Sequence, residues 1–389
     1  MPRKKRWHPS QESDELVFAV CDRFLSHLAR QYDPRSGKPE AERMGSAAAI
    51  ADWLNKRWGR KDLTRERIYP LFWEAVRRNY LLLQPPRELH FAQRLAEAYG
   101  VGRYAEDTET IQVVNRRGPD ALTHVATAGA DLILALIKRL GKKKKEQGSA
   151  DPRVHLGLGG GFSAMMVAKR LASRLYSDLT CPPLVLHALT AGGFLVDQPQ
   201  KAPVTYFSYF DDLLTKTEFV GLFSATVVPS GDYGQVIAHP GVHESFDRAG
   251  EIDIVVTSFA TARDEHGLLN QYLKHLIDKG ELRREVLENM EALGWVGDVQ
   301  FRPYGAGGPI VEGCPVRAVT LFEISDLVAW AQRPDKYVVL LAGPCSECGT
   351  TKTEAMLPLL TQPSLRLWTH LVTDVQTAAE LLTRTEDAC

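Results

Sequence analysis

The sequence predicts an α/β protein in two parts. Residues 1–87 have the outline of a (winged) helix-turn-helix domain, and residues 88–389 that of a doubly wound, mostly parallel α/β domain. Three observations predict this fold. Apolar residues recur at helical spacing through the first 80 residues. From residue 88 onward, strand-like apolar runs alternate with helical segments, as in a parallel sheet covered by helices. The glycine loop GGGFS follows the first central strand of that second part.

Length and composition agree with two folded domains. A chain of 389 residues exceeds one ordinary core, and 44% hydrophobic with 24% charged residues is typical of globular proteins. No apolar segment follows the basic N-terminus as in a secretory signal, and the apolar run DLILALIKRL is too short to span a membrane. Six cysteines do not make a disulfide framework in so long a chain. We therefore expect a cytoplasmic protein without membrane contact.

The net charge of −1 hides an asymmetry. Residues 1–80 carry 17 Lys and Arg against 11 Asp and Glu, whereas the remainder carries 30 against 37. A basic first part on an acidic body indicates that only the first part contacts a polyanion such as DNA. A solvated basic face is the alternative interpretation.

Three helices are expected in the first part, at residues 15–30, 46–59 and 60–80, followed by a short strand in 80–86. Ser46 and Thr64 are the expected N-caps of the second and third helices. In the third helix, Ile68, Phe72, Ala75 and Val76 form the expected apolar face. Pro70 should kink this helix unless the helix begins there.

Three helices with a basic third helix, followed by a strand, are typical of a winged helix-turn-helix whose third helix enters the major groove. Arginines there can contact phosphates and guanine edges. A helical interaction module that does not bind DNA is the alternative. The residues predicted to contact DNA are Arg65, Arg67, Tyr69, Arg77 and Arg78.

The second part is expected to begin with helices at 88–100 and 120–140, with a short strand within 107–118 between them. The lysine-rich stretch 141–153 is interpreted as a solvated loop. Strands are then expected within 153–159, 183–191, 217–228, 251–260, 317–324, 336–343 and 365–374.

The glycine loop lies at the carboxyl end of a strand, where such sheets bind ligands. Its backbone N–H groups and the following helix N-terminus suit an anion, although a packing turn without a ligand remains an alternative. The segment lacks the acidic residue after the next strand that a dinucleotide site requires, and it lacks the Gly-Lys-Ser/Thr of a P-loop. A smaller phosphorylated ligand therefore fits best.

Four segments resemble the SorC family of bacterial transcriptional regulators, in family order, over roughly residues 88–389. LGLGGGFS resembles the phosphate loop of that family, and LGWVGDVQFRPYGAGGP its Gly-Asp segment followed by a glycine turn. VVLLAGPCSECGTTKTEAMLPLL resembles its strand, glycine turn, lysine and helix, and HLVTDVQTAAELL its C-terminal signature. The departures are an extended turn before Lys352, Ser258-Phe259-Ala260 in place of a Gly-Ile-Gly turn, and the triple glycine itself.

The resemblance implies a DNA-binding transcriptional regulator that senses a phosphorylated sugar or polyol. It implies a homo-dimer or homo-tetramer on a DNA operator, with no cofactor, no metal and no enzyme activity. The glycine loop would hold the phosphate together with Lys352, and Asp298 would accept from sugar hydroxyls. The residues implied to bind the effector are Gly159, Gly160, Gly161, Phe162, Ser163, Gly192, Gly193, Arg263, Asp298 and Lys352.

Two further interpretations remain open. A sugar-phosphate isomerase or deaminase would use a carboxylate and an acid, for which Asp298, Glu323, His239 and His243 are the candidates. The pair Cys345-x-x-Cys348 supplies two thiolates where structural zinc takes four ligands. We therefore expect an ordinary loop there, with an exposed redox pair as the alternative.

Overall fold

The computed structural model describes most of the chain in two compact units, Met1–Gln84 and Pro85–Cys389. For residues 26–31 and 385–386 the description covers the backbone alone. Two residues of the expected effector site, Gly193 and Arg263, lie outside the described residues. The described residues are 7–31, 46–78, 80–81, 85–100, 110–176, 178–192, 198–262 and 264–386.

The described part of the N-terminal unit contains α1 (Asp14–Gln31), α2 (Ala47–Trp58) and α3 (Arg65–Arg77). Ser46 caps α2 as predicted, because its hydroxyl accepts from the N–H of Ala49 at 3.1 Å. Thr64 is the N-cap residue of α3, but its side chain makes no capping hydrogen bond. Residues 80–81 and 85–86 of the expected strand lie outside any strand, and 82–84 are not among the described residues.

Helix α3 begins well before Pro70, which therefore lies inside it. The missing N–H of Pro70 removes one backbone hydrogen bond from the second turn. The buried face of α3 consists of Ile68, Leu71, Glu74 and Ala75, so the expected stripe is rotated towards Leu71. A buried glutamate on this face requires partners, and arginines provide them.

Arg77 and Arg78 both pair with the carboxylate of Glu74, which is 4% exposed. The hydrogen bond from Arg77, assisted by Arg78, lowers the pKa of Glu74 to about 2. Arg78 also pairs with Asp14 at 2.6 Å, and its remaining nitrogen donates to the carbonyls of Ser10 and Glu12. The guanidinium of Arg78 is thus occupied by contacts within the unit, which leaves it poorly placed for the predicted contact with DNA.

We expect Arg78→Ala to lower the free energy of unfolding of the N-terminal unit by about 1–3 kcal/mol, the usual cost of leaving a buried polar group short of partners. Urea unfolding followed by tryptophan fluorescence measures this effect. The unit carries Trp7, Trp53, Trp58 and Trp73 of the seven tryptophans in the chain.

Lys56→Ala is the matched control, since Lys56 is an exposed cation on α2. Its effect should stay within about 0.5 kcal/mol. Equal stability of the Arg78 variant and the wild type would show that Arg77 alone satisfies Glu74.

The C-terminal unit alternates helices and strands from its start. Its described helices are α4 (Leu89–Ala98), α5 (Ala121–Glu146), α6 (Phe162–Leu175), α7 (Pro203–Tyr206), α8 (Tyr233–Ile237), α9 (His243–Asp247), α10 (Leu268–Asp278), α11 (Glu285–Ala292), α12 (Ile324–Ala331), α13 (Thr353–Thr361) and α14 (Val375–Glu386). Its described strands are β1 (Ile111–Val114), β2 (Val154–Leu158), β3 (Leu184–Ala188), β4 (Thr217–Val220), β5 (Val227–Pro229), β6 (Ile254–Thr261), β7 (Trp295–Val299), β8 (Arg302–Gly305), β9 (Gly308–Pro309), β10 (Val316–Ala318), β11 (Tyr337–Ala342) and β12 (His370–Asp374).

The central sheet has the order β1-β12-β11-β6-β2-β3-β4, and all of these neighbours pair in parallel. Strands β7, β8 and β9 extend the end of β6 as an antiparallel ribbon, and β5 pairs with β10 in a separate two-stranded sheet. Successive residues of the central strands point to opposite faces. One face packs on α5 and α6 and the other on α12, α13 and α14. The prediction of a doubly wound, mostly parallel α/β fold is confirmed.

The lysine run 142–145 is part of α5, so the predicted loop at this position is wrong. Lys144 explains why the helix continues, because its Nζ lies 2.5 Å from the carboxylate of Asp253 and donates to the carbonyl of Arg153. By length and composition alone, the most apolar stretch of α5 could cross a membrane. However, 61% of this stretch is buried inside the protein, where α5 packs on the sheet.

Candidate functional site

A cavity of about 330 Å³ lies at the carboxyl ends of β2, β6 and β11. This volume is at the small end of the range of small-molecule sites. The loops that follow these parallel strands form its walls, together with the turn between β7 and β8. The residues that line the cavity include Gly160, Gly161, Phe162, Ser163, Gln198, Lys201, Phe259, Asp264, His266, Gln271, Asp298, Gln300, Phe301, Cys345 and Lys352.

The glycine loop combines close packing with exposure to the cavity. A Cβ on Gly159 would lie 3.1 Å from the carbonyl oxygen of Val256, and one on Gly160 would lie 2.9 Å from the hydroxyl of Thr190. Gly161 has φ +109°, which a residue with a Cβ rarely adopts, and it is the N-cap of α6. These glycines therefore allow the loop to lie directly against the sheet.

Two backbone N–H groups of the loop already have partners. Gly159 donates to Val256 and Gly161 donates to Lys201, each at 2.9 Å. The predicted role of these two N–H groups in holding a phosphate is therefore wrong. The N–H groups of Phe162 and Ser163 lie in the first turn of α6, where no carbonyl within the helix can accept from them. The positive end of the helix thus faces the cavity at these two residues.

Tyr206 holds the loop from beneath. Its side chain is fully buried, and its hydroxyl lies 2.9 Å from the carbonyl oxygen of Gly161 and 2.6 Å from that of Lys201. The loop before α6 and the segment around Lys201 are thereby tied to one point. Lys201 also lines the cavity.

The turn between β7 and β8 presents a strained pair of residues to the cavity. Gln300 and Phe301 have φ +52° and +63°, and Val299 pairs with Arg302 across this two-residue turn. Positive φ at both central positions defines a type I′ turn, which usually carries Asn and Gly. Residues with large side chains cost strain there, so the turn is a candidate functional feature. Thr320 donates to the side-chain oxygen of Gln300 at 2.8 Å and fixes its orientation.

Asp298 and Lys352 bring opposite charges to the cavity. Asp298 is 5% exposed, and burial raises the pKa of its carboxyl to about 7, against the opposing effect of the Lys352 charge. Burial likewise lowers the pKa of Lys352, while Asp264, Cys345 and Asp298 act in the opposite direction. The ammonium of Lys352 donates to the carbonyl of Phe259 at 3.0 Å.

Three glutamines of the wall carry buried amide atoms with no hydrogen-bond partner among the described residues. They are the side-chain oxygens of Gln198 and Gln271 and the side-chain nitrogen of Gln300. Buried polar atoms normally have partners, so such atoms around a cavity indicate that a polar ligand or water completes them. Two acceptors and one donor match the hydroxyl groups of a polyol.

The structure brings together Gly160, Gly161, Phe162, Ser163, Asp298 and Lys352 of the expected effector-binding residues. Gly159 is not among the lining residues. Gly192 is also misplaced by the prediction, since it packs towards Ala202 and Val204 rather than lining the cavity. Sequence reasoning missed Lys201 and the glutamines Gln198, Gln271 and Gln300. The one available signal was that Gln300 follows Asp298 in the segment that resembles the SorC pattern.

The other candidates for acid–base chemistry lie elsewhere. Glu323 pairs with Arg317 at 2.5 Å and with Arg302 at 3.0 Å, and it also caps α12. His239 and His243 are exposed, and neither lines the cavity. Of the four candidates, Asp298 alone lines the cavity.

A buried histidine pair lies between β2 and β3, with His155 near the start of β2 and His187 near the end of β3. The Nδ1 of His155 and the Nε2 of His187 are 3.0 Å apart, and His155 also contacts Asp151 at 2.9 Å. Burial lowers the pKa of His187 to about 3, so its ring stays neutral. The buried Nδ1 of His187 has no hydrogen-bond partner among the described residues.

In the N-terminal unit, one face of α3 is exposed at every fourth residue. It carries Arg65, Tyr69, Trp73 and Arg77, with Trp73 64% exposed. The sequence prediction missed Trp73. Arg67 lies off this face, because it pairs with Asp62 at 2.5 Å and its guanidinium stacks on Trp7.

We expect the stability of the protein to fall as the pH rises from about 4 to about 7, because of Asp298. An unfolded aspartate titrates near pH 4. The pKa of the folded residue is raised to about 7, so the folded state holds its proton more tightly, and this advantage is lost as the pH passes 7. Asp298→Asn should therefore flatten this part of the pH profile, as measured by thermal unfolding.

Asp278→Asn is the matched control, since Asp278 is an exposed carboxylate at the end of α10. Its profile should follow that of the wild type. If the Asp298 variant keeps the full wild-type slope, the carboxyl of Asp298 does not carry the shifted pKa.

The fold was compared with known proteins. No protein-family model matches the sequence, and no curated protein sequence matches it. Solved structures do match. The full-length sorbitol operon regulator SorC from Klebsiella pneumoniae has a TM-score of 0.57 at 15% identity, covering 95% of this chain and 100% of that one.

Two further matches cover the larger part of the chain. A probable sor operon regulator from Shigella flexneri has a TM-score of 0.53 at 15% identity, covering 76% of this chain and 98% of that one. The putative sugar-binding domain of a transcriptional repressor from Vibrio fischeri has a TM-score of 0.52 at 14% identity, covering 77% and 100%. The structural neighbours of this chain are thus SorC-type sugar-binding transcriptional regulators, and it shares their fold.

Proposed function

We propose that this protein is a DNA-binding transcriptional regulator whose C-terminal unit senses a small phosphorylated sugar or polyol. The observation that carries the proposal is the cavity, where a helix N-terminus and Lys352 border the same space as a buried carboxyl and unpaired amides. The structural neighbours support it, since they include an operon regulator and a sugar-binding domain of a repressor. Such a protein works in the cytoplasm as a homo-oligomer on its operator.

The phosphate end of the ligand lies at the start of α6. The N–H groups of Phe162 and Ser163 donate to it, with the hydroxyl of Ser163. Lys352 and Lys201 supply positive charge, which a phosphate monoester requires and a neutral sugar does not. The phosphate thus supplies an anionic partner to the buried ammonium of Lys352, for which the described residues offer the carbonyl of Phe259.

The polyol end lies towards the glutamines and Asp298. The side-chain oxygens of Gln198 and Gln271 accept from hydroxyl groups, and the nitrogen of Gln300 donates to a hydroxyl oxygen. Asp298, with a pKa of about 7, donates a hydrogen bond to a hydroxyl below that pH and accepts one from a hydroxyl above it. A linear or ring-shaped polyol matches this mixture of donors and acceptors.

DNA is contacted by the exposed face of α3. Arg65 and Arg77 reach phosphates, and Tyr69 and Trp73 pack against the sugar-phosphate backbone or base edges. The ion pairs of Arg67 and Arg78 place both residues in the scaffold that supports this face. Effector binding regulates DNA affinity when it favours one of two states of the assembled protein.

The first test is thermal unfolding of the full chain against a panel of sugar phosphates, free sugars and nucleotides. We expect one phosphorylated sugar or polyol to raise the midpoint. At about 100 times its dissociation constant, such a ligand adds about 2.7 kcal/mol. The variants Lys352→Ala and Ser163→Ala should lose most of the shift.

Lys169→Ala serves as the control, because Lys169 is an exposed lysine on the same helix α6. It should keep the full shift. A panel that leaves the wild type unchanged, or a shift that survives Lys352→Ala, would rule out the phosphate site.

The second test measures DNA binding. A duplex is selected by the wild-type chain from a random-sequence pool, and binding is followed by fluorescence anisotropy at several salt concentrations. Arg65→Ala with Arg77→Ala should weaken binding and reduce the salt slope by about 1 for each arginine that no longer neutralises a phosphate. Arg78→Ala removes the other partner of Glu74 without removing a phosphate contact, so it should keep the wild-type salt slope. Lys56→Ala, on α2, should bind as the wild type does.

Failure of the selection to enrich any duplex would favour the alternative of a sensing module that does not bind DNA. Equal binding by the double variant and the Lys56 control would instead exclude this face of α3. Neither result bears on the effector cavity, which the thermal panel tests independently.

A further inference from the structure

Four potential metal ligands converge at the border between the effector cavity and a neighbouring cavity of about 480 Å³. They are Asp264, His266, Cys345 and Cys348, and one ligand atom of each lies within 4.8 Å of all the others. Asp264 and His266 follow β6, whereas the two cysteines follow β11. Because β6 and β11 are parallel neighbours, their following loops meet at the same edge of the sheet. None of these four groups has a part in the proposed binding of the effector.

The separations fit a tetrahedral metal ion. The Sγ of Cys345 lies 3.7 Å from the Nδ1 of His266 and 3.9 Å from the Oδ1 of Asp264, and these two atoms are 3.2 Å apart. A tetrahedral zinc ion with bonds of about 2.3 Å to sulfur and about 2.1 Å to nitrogen or oxygen requires about 3.6 Å between sulfur and either atom. It requires about 3.4 Å between the nitrogen and the oxygen. These three separations match the tetrahedral values to within a few tenths of an ångström, and the Sγ of Cys348 lies within 4.8 Å of the other three ligand atoms.

Backbone hydrogen bonds hold the turn that carries the two thiols. The N–H of Gly349 donates to the carbonyl of Cys345 at 2.9 Å, and the N–H of Cys345 donates to the carbonyl of Thr350 at 2.9 Å. Gly349 has φ +71°, which glycine adopts without strain and which allows this tight turn directly after Cys348. Both cysteines are free thiols, Cys345 buried and Cys348 exposed.

The same geometry disfavours Cys345 as a nucleophile. In a cysteine–histidine–aspartate relay, the thiol and the carboxylate contact opposite nitrogens of the imidazole. Here the thiol of Cys345 and the carboxylate of Asp264 both face the Nδ1 of His266. Atoms that converge on one point in this way are arranged as ligands around a shared centre.

We propose that Asp264, His266, Cys345 and Cys348 bind one zinc ion. Two thiolates, one imidazole and one carboxylate in a four-coordinate arrangement form a donor set that suits zinc. Four protein ligands leave no open position, so the ion is structural and joins the loop after β6 to the loop after β11. Both loops border the effector cavity, and the ion therefore holds its rim in place. This inference does not rest on the proposed function, because it requires neither an effector nor DNA.

The test measures the metal content of the full chain, purified without chelators and dialysed against metal-free buffer. We expect one zinc per chain by elemental analysis. Replacing it with Co²⁺ should give the thiolate charge-transfer band and the visible bands of tetrahedral cobalt. Cys348→Ser should bind no zinc, and the variant should still fold because this position is exposed. His266→Ala should weaken zinc binding at least 10-fold, as loss of a ligand does.

His243→Ala is the matched control, since His243 is an exposed histidine paired with Asp247 at 3.0 Å outside the site. It should retain one zinc per chain, as should Lys352→Ala, which separates failure of this site from failure of the effector site. Zinc that persists in Cys348→Ser, wild-type chain without zinc, or a disulfide between Cys345 and Cys348 in the freshly purified protein would each overturn the proposal.

Discussion

The parallel pairing of β2, β6 and β11 is the constraint on which the rest of the C-terminal unit depends. Parallel strands present all of their carboxyl ends at one edge, so the loops that follow them must share that edge. The glycine loop, the segment around Asp264 and the segment around Cys345 are far apart in sequence. The hydrogen-bonded register of the three strands brings them around one cavity.

In the proposed function, the glycine loop serves both packing and binding. The loop can be both a packing turn and a ligand-binding loop, because different residues carry the two roles. Gly159 approaches the backbone of β6, while Phe162 and Ser163 direct their N–H groups into the cavity. The buried hydroxyl of Tyr206 ties the loop to the Lys201 segment, so the donors are held in place before a ligand binds. Such preorganisation reduces the entropic cost of binding.

The cavity also concentrates groups that are costly in isolation. Three of its features lower the stability of the ligand-free protein. They are the carboxyl with its pKa raised to about 7, the buried ammonium and the unpaired amides. The positive φ values of Gln300 and Phe301 add backbone strain at the same place. In a protein core that binds no ligand, this combination would only be destabilising. It is typical of binding sites, where the ligand supplies the missing partners.

The sequence by itself determined which segments fold locally and how each alternates between buried and exposed positions. Periodicity located the central strands and helices α1 to α5, Ser46 marked a cap, and the position of GGGFS after β2 predicted the edge of the sheet at which the cavity lies. These features depend on residues that are a few positions apart, and the local sequence pattern therefore predicts them. The extent of α5 was missed because its end is stabilised by Asp253, more than 100 residues away.

Only the tertiary structure decided which distant side chains meet. It committed Arg78 to Glu74 and Asp14, added Gln198, Lys201 and Gln271 to the cavity, and excluded Gly192 from it. It also joined Cys345 to His266 across 79 positions of sequence. The physical reason is that an apolar pattern shows that one face of a helix or strand must be buried. The pattern does not specify which other element packs against that face. That choice is made by strand order and register, and these belong to the whole sheet.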